Sequence, residues 1–242
     1  MTTQLTDFDT LTFDCYGTLI DWESGIWDAL QPLLMANGAE MERQPTLQAY
    51  ARTESAQQAK TPGMLYPEIL LNVHKDLAAE LGLETNDELD EAFGNSVQIW
   101  PAFPDTADAL RILKKHYKLV ILSNVNREGF AASNKKLGVE FDAIYTAQDV
   151  GSYKPTMANF DYMLQHLSAD LGVERNTILH TAQSLFHDHV PAVQAGLATC
   201  WIDRQNLAGS EDWGATAVVD ERPETDFRFI SMMDMAKAVS SA

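Results

Sequence analysis

Two different patterns of apolar and polar residues divide the chain. Between residues 22 and 99, apolar residues recur every three or four positions, which is the spacing of amphipathic helices. We predict four helices there, at 21–36, 45–60, 68–81 and 86–99. No run of β-branched residues in this segment predicts a strand, so it is expected to be an all-helical unit.

Outside this segment, short apolar runs alternate with helical patterns. Strands are predicted at 10–13, 118–122, 143–146, 177–181, 198–202 and 217–219, and helices at 106–116, 128–137, 158–171 and 229–239, with a short one ending at Gly196. This alternation indicates an α/β fold, a doubly wound parallel sheet of Rossmann-like type. We therefore expect a core domain of residues 1–21 and 100–242, with residues 22–99 inserted as a helical cap that covers the end of the first strand.

Composition and charge exclude several classes of function. Of 242 residues, 45% are hydrophobic, which is enough for a large core. A formal net charge of −18 argues against nucleic acid and against anionic membrane surfaces as partners. No apolar run approaches the roughly 18 residues of a membrane-spanning helix. The start of the chain lacks the basic stretch of a signal peptide, and the two cysteines do not indicate a disulfide framework. These features predict a soluble, cytoplasmic protein.

Polar side chains follow four of the predicted strands. Asp14 ends the first strand, the pair Ser123-Asn124 ends the second, and Lys154 and Asp188 follow later ones. Ligands of open α/β sheets bind where the strands end, so we expect these groups to meet in one crevice. An ionised Asp14 could act as a nucleophile and form an ester, and a nearby Lys154 would balance its charge and lower its pKa.

The motifs resemble those of the haloacid dehalogenase superfamily. They are the run from Asp14 through Tyr16, Gly17, Thr18 and Leu19, the pair Ser123-Asn124, the run Tyr153-Lys154-Pro155, and Asp188 eight residues before Gly196. All four occur in the expected order, and the helical insert lies in the expected place. Each motif alone is weakly specific, but the ordered set is strong and covers nearly the whole chain.

Within the superfamily, the resemblance is to the L-2-haloacid dehalogenases rather than to the phosphatases. The phosphatases have a second aspartate two residues after the nucleophile, where this chain has Tyr16. They also bind magnesium through a Gly-Asp run that aligns with Ala182-Gln183 here. Because a hard cation prefers carboxylate ligands, we expect a site without a metal ion and no cofactor.

That resemblance implies hydrolysis of short-chain L-2-haloacids to 2-hydroxy acids with inversion, the (S)-2-haloacid dehalogenase reaction. Asp14 would displace halide from the α-carbon, and water would then hydrolyse the ester. Substrate would be bound by Ser123, with Tyr16 and Thr18 nearby, and halide by Asn124 and a cap arginine. We interpret Arg52 as that arginine. The implied partners are the haloacid and the halide product.

The chain departs from the dehalogenase pattern at two positions, and the first of them suggests which group activates water. His187 stands where an aromatic residue often precedes the last aspartate, and imidazole titrates near neutral pH. We interpret His187 as the base for ester hydrolysis, with Glu23 orienting the water or sharing its proton. The cap aromatic expected beside the halide is replaced by an aliphatic residue near Ile69.

Other interpretations remain open from the sequence alone. Ser123, Asn124 and Asp188 could cap helices, Glu23 suits the first turn of a helix, and Tyr16 and His187 could be packing residues. Arg52 could lie on an ordinary helix surface. A magnesium-dependent phosphatase and a non-catalytic binding protein on the same scaffold are the competing functions. A homodimer formed through the cap helices is also expected.

Overall fold

The computed structural model describes residues 3–209 and 222–241. Its six strands form one sheet in which every neighbouring pair is parallel, in the order β3-β2-β1-β4-β5-β6. The strands are β1 (Thr10–Phe13), β2 (Lys118–Ser123), β3 (Ala143–Thr146), β4 (Ile178–Ala182), β5 (Ala198–Ile202) and β6 (Phe227–Phe229). The α/β prediction is thereby confirmed, whereas the strand predicted at 217–219 lies outside the described residues.

Ten α-helices connect or flank these strands within the described ranges. They are α1 (Trp22–Asn37), α2 (Arg43–Lys60), α3 (Tyr66–Leu81), α4 (Asp87–Gly94), α5 (Thr106–Leu113), α6 (Arg127–Leu137), α7 (Ala147–Val150), α8 (Met157–Leu171), α9 (Val190–Gln194) and α10 (Met232–Ser240). A π-helical turn, Leu185–His189, precedes α9. None of the described helices combines the length and the apolarity that crossing a membrane requires.

Strand β1 lies in the middle of the sheet and is buried along its whole length. Its last residue, Phe13, lies beside Ile121 of β2 on one side and Thr181 of β4 on the other. The chain leaves β1 toward β2 and β3 on one side and reaches β4, β5 and β6 on the other. The carboxyl end of β1 is therefore the switch point where this type of sheet opens a crevice.

The segment 22–99 contains helices and no strand, as the periodicity predicted. Helices α1, α2 and α3 fall within two residues of their predicted bounds. The predicted helix 86–99 is instead α4 followed by a 3-10 helix, Ser96–Ile99. One hydrophobic cluster runs from the sheet into this segment, joining Leu11 and Phe13 to Leu30 and Ile69. The helical insert and the sheet are thus packed together without a polar boundary.

Gly25 allows α1 to pack directly against Trp100. A Cβ atom built on Gly25 would lie 2.3 Å from Cγ of the indole. Alanine is the better helix former by about 1 kcal/mol, yet overpacking of this kind costs about 1–3 kcal/mol. Gly25→Ala is therefore expected to lower the free energy of unfolding in urea titration. Gly63→Ala is the matched control, since a Cβ there meets open space, and a similar loss in the control would contradict the packing explanation.

Candidate active site

Asp14 follows the last residue of β1, and its backbone N–H donates to the carbonyl of Thr181 on β4. The chain then turns sharply at Gly17, whose φ of 98° is the left-handed conformation that favours glycine. The turn returns Thr18 to Asp14, and Thr18 Oγ1 donates to Asp14 Oδ2 at 2.9 Å. One carboxylate oxygen is thereby oriented by the same loop that carries the residue.

Lys154 is fully buried, and all three of its ammonium hydrogens have acceptors. Its Nζ lies 3.0 Å from Asp14 Oδ1, 2.6 Å from Asp188 Oδ1 and 2.8 Å from the carbonyl oxygen of Leu122. An ammonium has three donors and no acceptor. Lys154 therefore has no donor left for a substrate and serves to position the two carboxylates.

Asp188 is held by a second buried group that the sequence analysis missed. His180 Nε2 lies 3.0 Å from Asp188 Oδ1, and its Nδ1 lies 2.8 Å from Thr12 Oγ1. Both ring nitrogens are therefore used within the sheet. The signal in the sequence was a histidine inside the apolar run of β4, a position that needs polar partners when it is buried.

The pKa values of the two carboxyl groups beside Lys154, Asp14 and Asp188, are shifted in opposite directions. Burial raises the pKa of Asp14, and this effect, with the charge of Asp188, outweighs the lowering by Lys154. For Asp188, Lys154 and His180 outweigh burial and hold the pKa below its usual range. Lys154 does lower the pKa of Asp14, as predicted, but desolvation is the larger effect, so the net shift is upward. The ionised form of Asp188 is thus stabilised by its protein partners, whereas the ionised form of Asp14 is disfavoured by burial.

A pocket with about 650 Å³ of empty space, including its open mouth, lies over Asp14. Its floor comes from strand ends and its wall from the helical insert, so the insert covers the crevice as predicted. The insert contributes Trp22, Tyr50, Ala51, Glu54, Ser55, Gln58 and Tyr66.

The predicted substrate-binding residues are only partly in this pocket. Tyr16 lines it, but its hydroxyl lies 3.0 Å from Ser133 Oγ. The hydroxyl of Thr18 is already hydrogen-bonded within the protein, because it donates to the Asp14 carboxylate and accepts from the backbone N–H of Gln183 at 2.9 Å. Ser123 does not line the pocket, and its hydroxyl is buried without a partner among the described residues.

Asn124 does line the pocket, and its carboxamide fixes the loop that carries Lys154. Asn124 Oδ1 accepts from the Lys154 backbone N–H at 2.7 Å, and Nδ2 donates to the Lys154 carbonyl at 3.0 Å. The same Nδ2 lies 3.5 Å from Gln58 Oε1 on the insert. Asn124 is thus the point at which sheet and insert meet at the pocket.

Of the two residues proposed to activate water, only one lies at the pocket. His187 lines it, with Nδ1 3.2 Å from Ser184 Oγ, and burial lowers the pKa of the imidazole to about 4. Glu23 instead lines a neighbouring cavity and accepts from Gln205 Nε2 at 2.6 Å. The structure therefore does not bring Glu23 beside His187, because within the first turn of α1 it is Trp22 that lines the pocket, while Glu23 lines the neighbouring cavity.

Arg52 also lies outside the pocket. Its guanidinium pairs with Glu80 at 2.8 Å on the outer surface, with 65% of the side chain exposed. The face of α2 that lines the pocket carries Tyr50, Glu54 and Gln58, at helical spacing. A residue two positions after Tyr50 is turned by about 200° around the helix axis and must point outward. The polar stripe at intervals of four residues was the signal that could have found this face.

The sequence predicts an aliphatic residue near Ile69 in place of an aromatic one in the pocket wall, and the structure differs from this. Ile69 is fully buried in the helical insert and does not line the pocket. Tyr66, three residues earlier, does line it, and Trp100 packs edge-on against both Tyr16 and Tyr66, with ring centroids 5.3 and 6.3 Å apart. The wall is thus aromatic rather than aliphatic.

The side chains around Asp14 do not provide the set of carboxylate ligands that a magnesium ion prefers. Tyr16 replaces the second carboxylate, and Ala182-Gln183 provides no other. The Lys154 ammonium already lies between Asp14 and Asp188, where a cation would have to compete with it. Within the described ranges, no group of three or more His, Cys, Asp and Glu side chains could hold a metal ion.

Comparisons with known proteins place the chain in a family. A family model described as haloacid dehalogenase-like hydrolase matches residues 8–180. An (S)-2-haloacid dehalogenase of Pseudomonas putida is 25% identical over 93% of this chain and 97% of its own length. A pyrimidine 5'-nucleotidase, YjjG of Escherichia coli strain K12, is 27% identical over 57% of this chain, and the match spans 62% of that protein.

A solved L-2-haloacid dehalogenase structure from Xanthobacter autotrophicus has the same fold. It superimposes with a TM-score of 0.78 at 18% identity, covering 96% of this chain and 98% of that one. These matches confirm the resemblance that the motifs suggested. The chain belongs to the haloacid dehalogenase-like hydrolase family.

Proposed function

We propose that the protein hydrolyses short-chain L-2-haloacids to 2-hydroxy acids, with inversion, through an ester on Asp14 and without a metal ion. The observation that carries this proposal is the state of Asp14. The carboxylate lines the pocket, its oxygens are oriented by Lys154 and Thr18, and burial raises its pKa. A desolvated, oriented carboxylate is a strong nucleophile for a substrate held above it.

In the first step, an Asp14 oxygen forms a bond to the α-carbon as the carbon–halogen bond breaks. The halide leaves with the bonding electron pair and needs no proton. This fits the position two residues after Asp14, where Tyr16 is a phenol whose pKa burial raises well above 10. Asn124 and Gln58, adjacent on the pocket wall, replace Arg52 as the groups proposed to stabilise halide.

In the second step, water attacks the carbonyl carbon of the Asp14 ester and releases the hydroxy acid. One water proton must leave during this attack, and His187 is the neutral base at the pocket. Its lowered pKa keeps the imidazole unprotonated at neutral pH. Ser184 Oγ, 3.2 Å from Nδ1, can fix the ring so that Nε2 accepts the proton.

The decisive experiment is oxygen labelling. Repeated turnover of L-2-chloropropionate in ¹⁸O water should place the isotope in the peptide that contains Asp14, because hydrolysis of the ester leaves one water oxygen on its carboxylate. The rate of halide release should be unchanged by a chelator. Label found only in the hydroxy acid, from the first turnover onward, would mean that water attacks the substrate directly.

His187→Ala is expected to slow ester hydrolysis by about 100-fold or more, which is the usual contribution of a general base. Rapid-quench mass spectrometry should then detect the ester accumulating on Asp14. In the native protein, the hydrolysis rate should be flat between about pH 6 and 8 and should fall as pH approaches 4, where His187 becomes protonated. Phe186→Ala is the control at the neighbouring position. Ester breakdown at the native rate in His187→Ala would show that His187 is not the base.

A magnesium-dependent phosphatase is the second candidate, and the partial match to a nucleotidase is the observation that favours it. It would require a metal ion beside Asp14, where the Lys154 ammonium lies, and a general acid where Tyr16 stands. Turnover of p-nitrophenyl phosphate that depends on magnesium, with no halide release from bromoacetate, would establish it in place of dehalogenation.

A further inference from the structure

Glu54 is a carboxylate in the wall of the pocket, on the helical insert, and none of the described Lys, Arg or His side chains forms an ion pair with it. Its Oε1 accepts from Tyr66 OH at 2.5 Å and from Tyr50 OH at 3.1 Å. The two phenol oxygens are themselves 3.3 Å apart. No hydrogen bond from a described residue reaches Oε2, although the side chain lines the pocket. The free oxygen is thus available to a bound molecule.

The location of the second oxygen decides where a proton would reside. Because Oε1 already receives two phenol donors, a protonated Glu54 must carry its hydrogen on Oε2. In that form the carboxyl is a hydrogen-bond donor to the pocket rather than an acceptor. Burial raises the pKa of Glu54 despite the opposing effect of Tyr66 and Tyr50, which makes the neutral form more accessible.

The charge of the pocket favours that neutral form when the ligand is an anion. Among the described residues that line it, the carboxylates are Asp14, Glu54 and Asp188, and the one permanent cation is Lys154, whose donors are all used. A haloacid anion would add a further negative charge to three carboxylates. Like charges in a low-dielectric site repel strongly and raise the pKa of the group that can still accept a proton.

We propose that Glu54 binds the substrate in its neutral form and donates a hydrogen bond from Oε2 to the carboxylate of the haloacid. The inference rests on the proposed function and specifies how its substrate is recognised. The substrate anion and one proton bind together, and both leave when the product anion departs. Glu54 makes no covalent bond, so the chemistry at Asp14 is unchanged.

The other ionisable groups around Glu54 do not provide the same donor. On α3 the neighbour is Tyr66, and Glu68 is close enough to Tyr153 to help raise the pKa of that phenol. The loop before Lys154 contributes Tyr153, whose hydroxyl donates to the backbone carbonyl of Met64 at 2.6 Å. From the sheet side, the groups are Asp14, Lys154, Asp188 and the neutral imidazole of His187.

The proposal predicts a specific pH dependence of substrate binding. For the native protein, KM for bromoacetate should rise about tenfold per pH unit above the pKa of Glu54, because the donor form is depleted. In Glu54→Gln the amide N–H donates a hydrogen bond at any pH in this range. KM should therefore become independent of pH from 6 to 9. Glu54→Ala has no donor and should show a raised KM throughout. A native KM that does not change with pH, or the native slope in Glu54→Gln, would overturn the proposal.

A second measurement separates this inference from the proposed reaction. Isothermal titration with L-lactate at pH 8, in buffers of different ionisation enthalpy, should show uptake of about one proton per carboxylate bound by the native protein and none by Glu54→Gln. Proton uptake without halide release from any haloacid would support the carboxylate site while refuting dehalogenation. Halide release without proton uptake would do the reverse.

Discussion

Replacing Asp14 with asparagine is expected to lower halide release from L-2-chloropropionate by about 10⁴-fold or more. The loss should be this large because in the proposed mechanism the residue supplies the bond-forming atom, and removal of a nucleophile eliminates a whole route rather than weakening one contact. Asparagine has nearly the same volume, and its Oδ1 can still accept from Lys154, whereas its amide nitrogen donates and cannot accept from Thr18. Initial rates by ion detection and a mass spectrum free of ester should establish the result.

The stability of Asp14→Asn distinguishes a reactive carboxylate from a structural one. Since burial raises the pKa of Asp14, the ionised form destabilises the folded state at neutral pH. Removing the charge should therefore leave the free energy of unfolding equal to or above the native value. Asp188→Asn is the matched comparison on the same ammonium. The pKa of Asp188 is lowered, so that variant should lose roughly 2–4 kcal/mol. Equal losses in both would contradict this division of roles.

The sheet was predictable because its strands are short buried runs with little polar interruption. β1, β3 and β5 match their predicted bounds, and β4 is shifted by one residue. β6 was missed because two half-buried phenylalanines with an exposed Arg228 between them carry little hydrophobic signal. The predicted helix 229–239 consequently began too early, since Phe229 ends β6 and α10 starts at Met232.

The site was predictable where residues follow strands and unpredictable where they lie on the insert. A strand end fixes the position of Asp14 and Asn124, because all parallel strands finish at one edge of the sheet. The insert offers no such rule. Which face of α2 lines the pocket depends on how the helix packs, and because α2 is polar on most faces, its sequence offers only the stripe of Tyr50, Glu54 and Gln58 as a signal. Arg52 was therefore chosen for its charge, whereas the pocket face carries Glu54 and Gln58.

Lys154→Met should produce the largest loss of stability of any single substitution at the site. The variant keeps two carboxylates, Asp14 and Asp188, in a buried space without their shared cation. Breaking a buried ion pair from one side costs about 3–5 kcal/mol, because an uncompensated charge remains. Chemical denaturation at pH 7 should measure this loss. Lys114→Met is the control, since its pair with Asp142 is about one-third exposed and such pairs contribute about 1 kcal/mol at most.

The pH dependence of that loss tests whether the two carboxylates cause it. In the native protein, the lowered pKa of Asp188 gives stability that is present above its unfolded value, near 3.8, and is lost as pH falls through its folded value. In Lys154→Met both carboxyls should have raised pKa values, so their penalty applies at high pH and disappears as pH falls through them. The deficit relative to the native protein should therefore be greatest at pH 7 and should shrink toward pH 4. A deficit that stays constant over this range would mean that Lys154 stabilises the fold through the packing of its alkyl chain and not through Asp14 and Asp188.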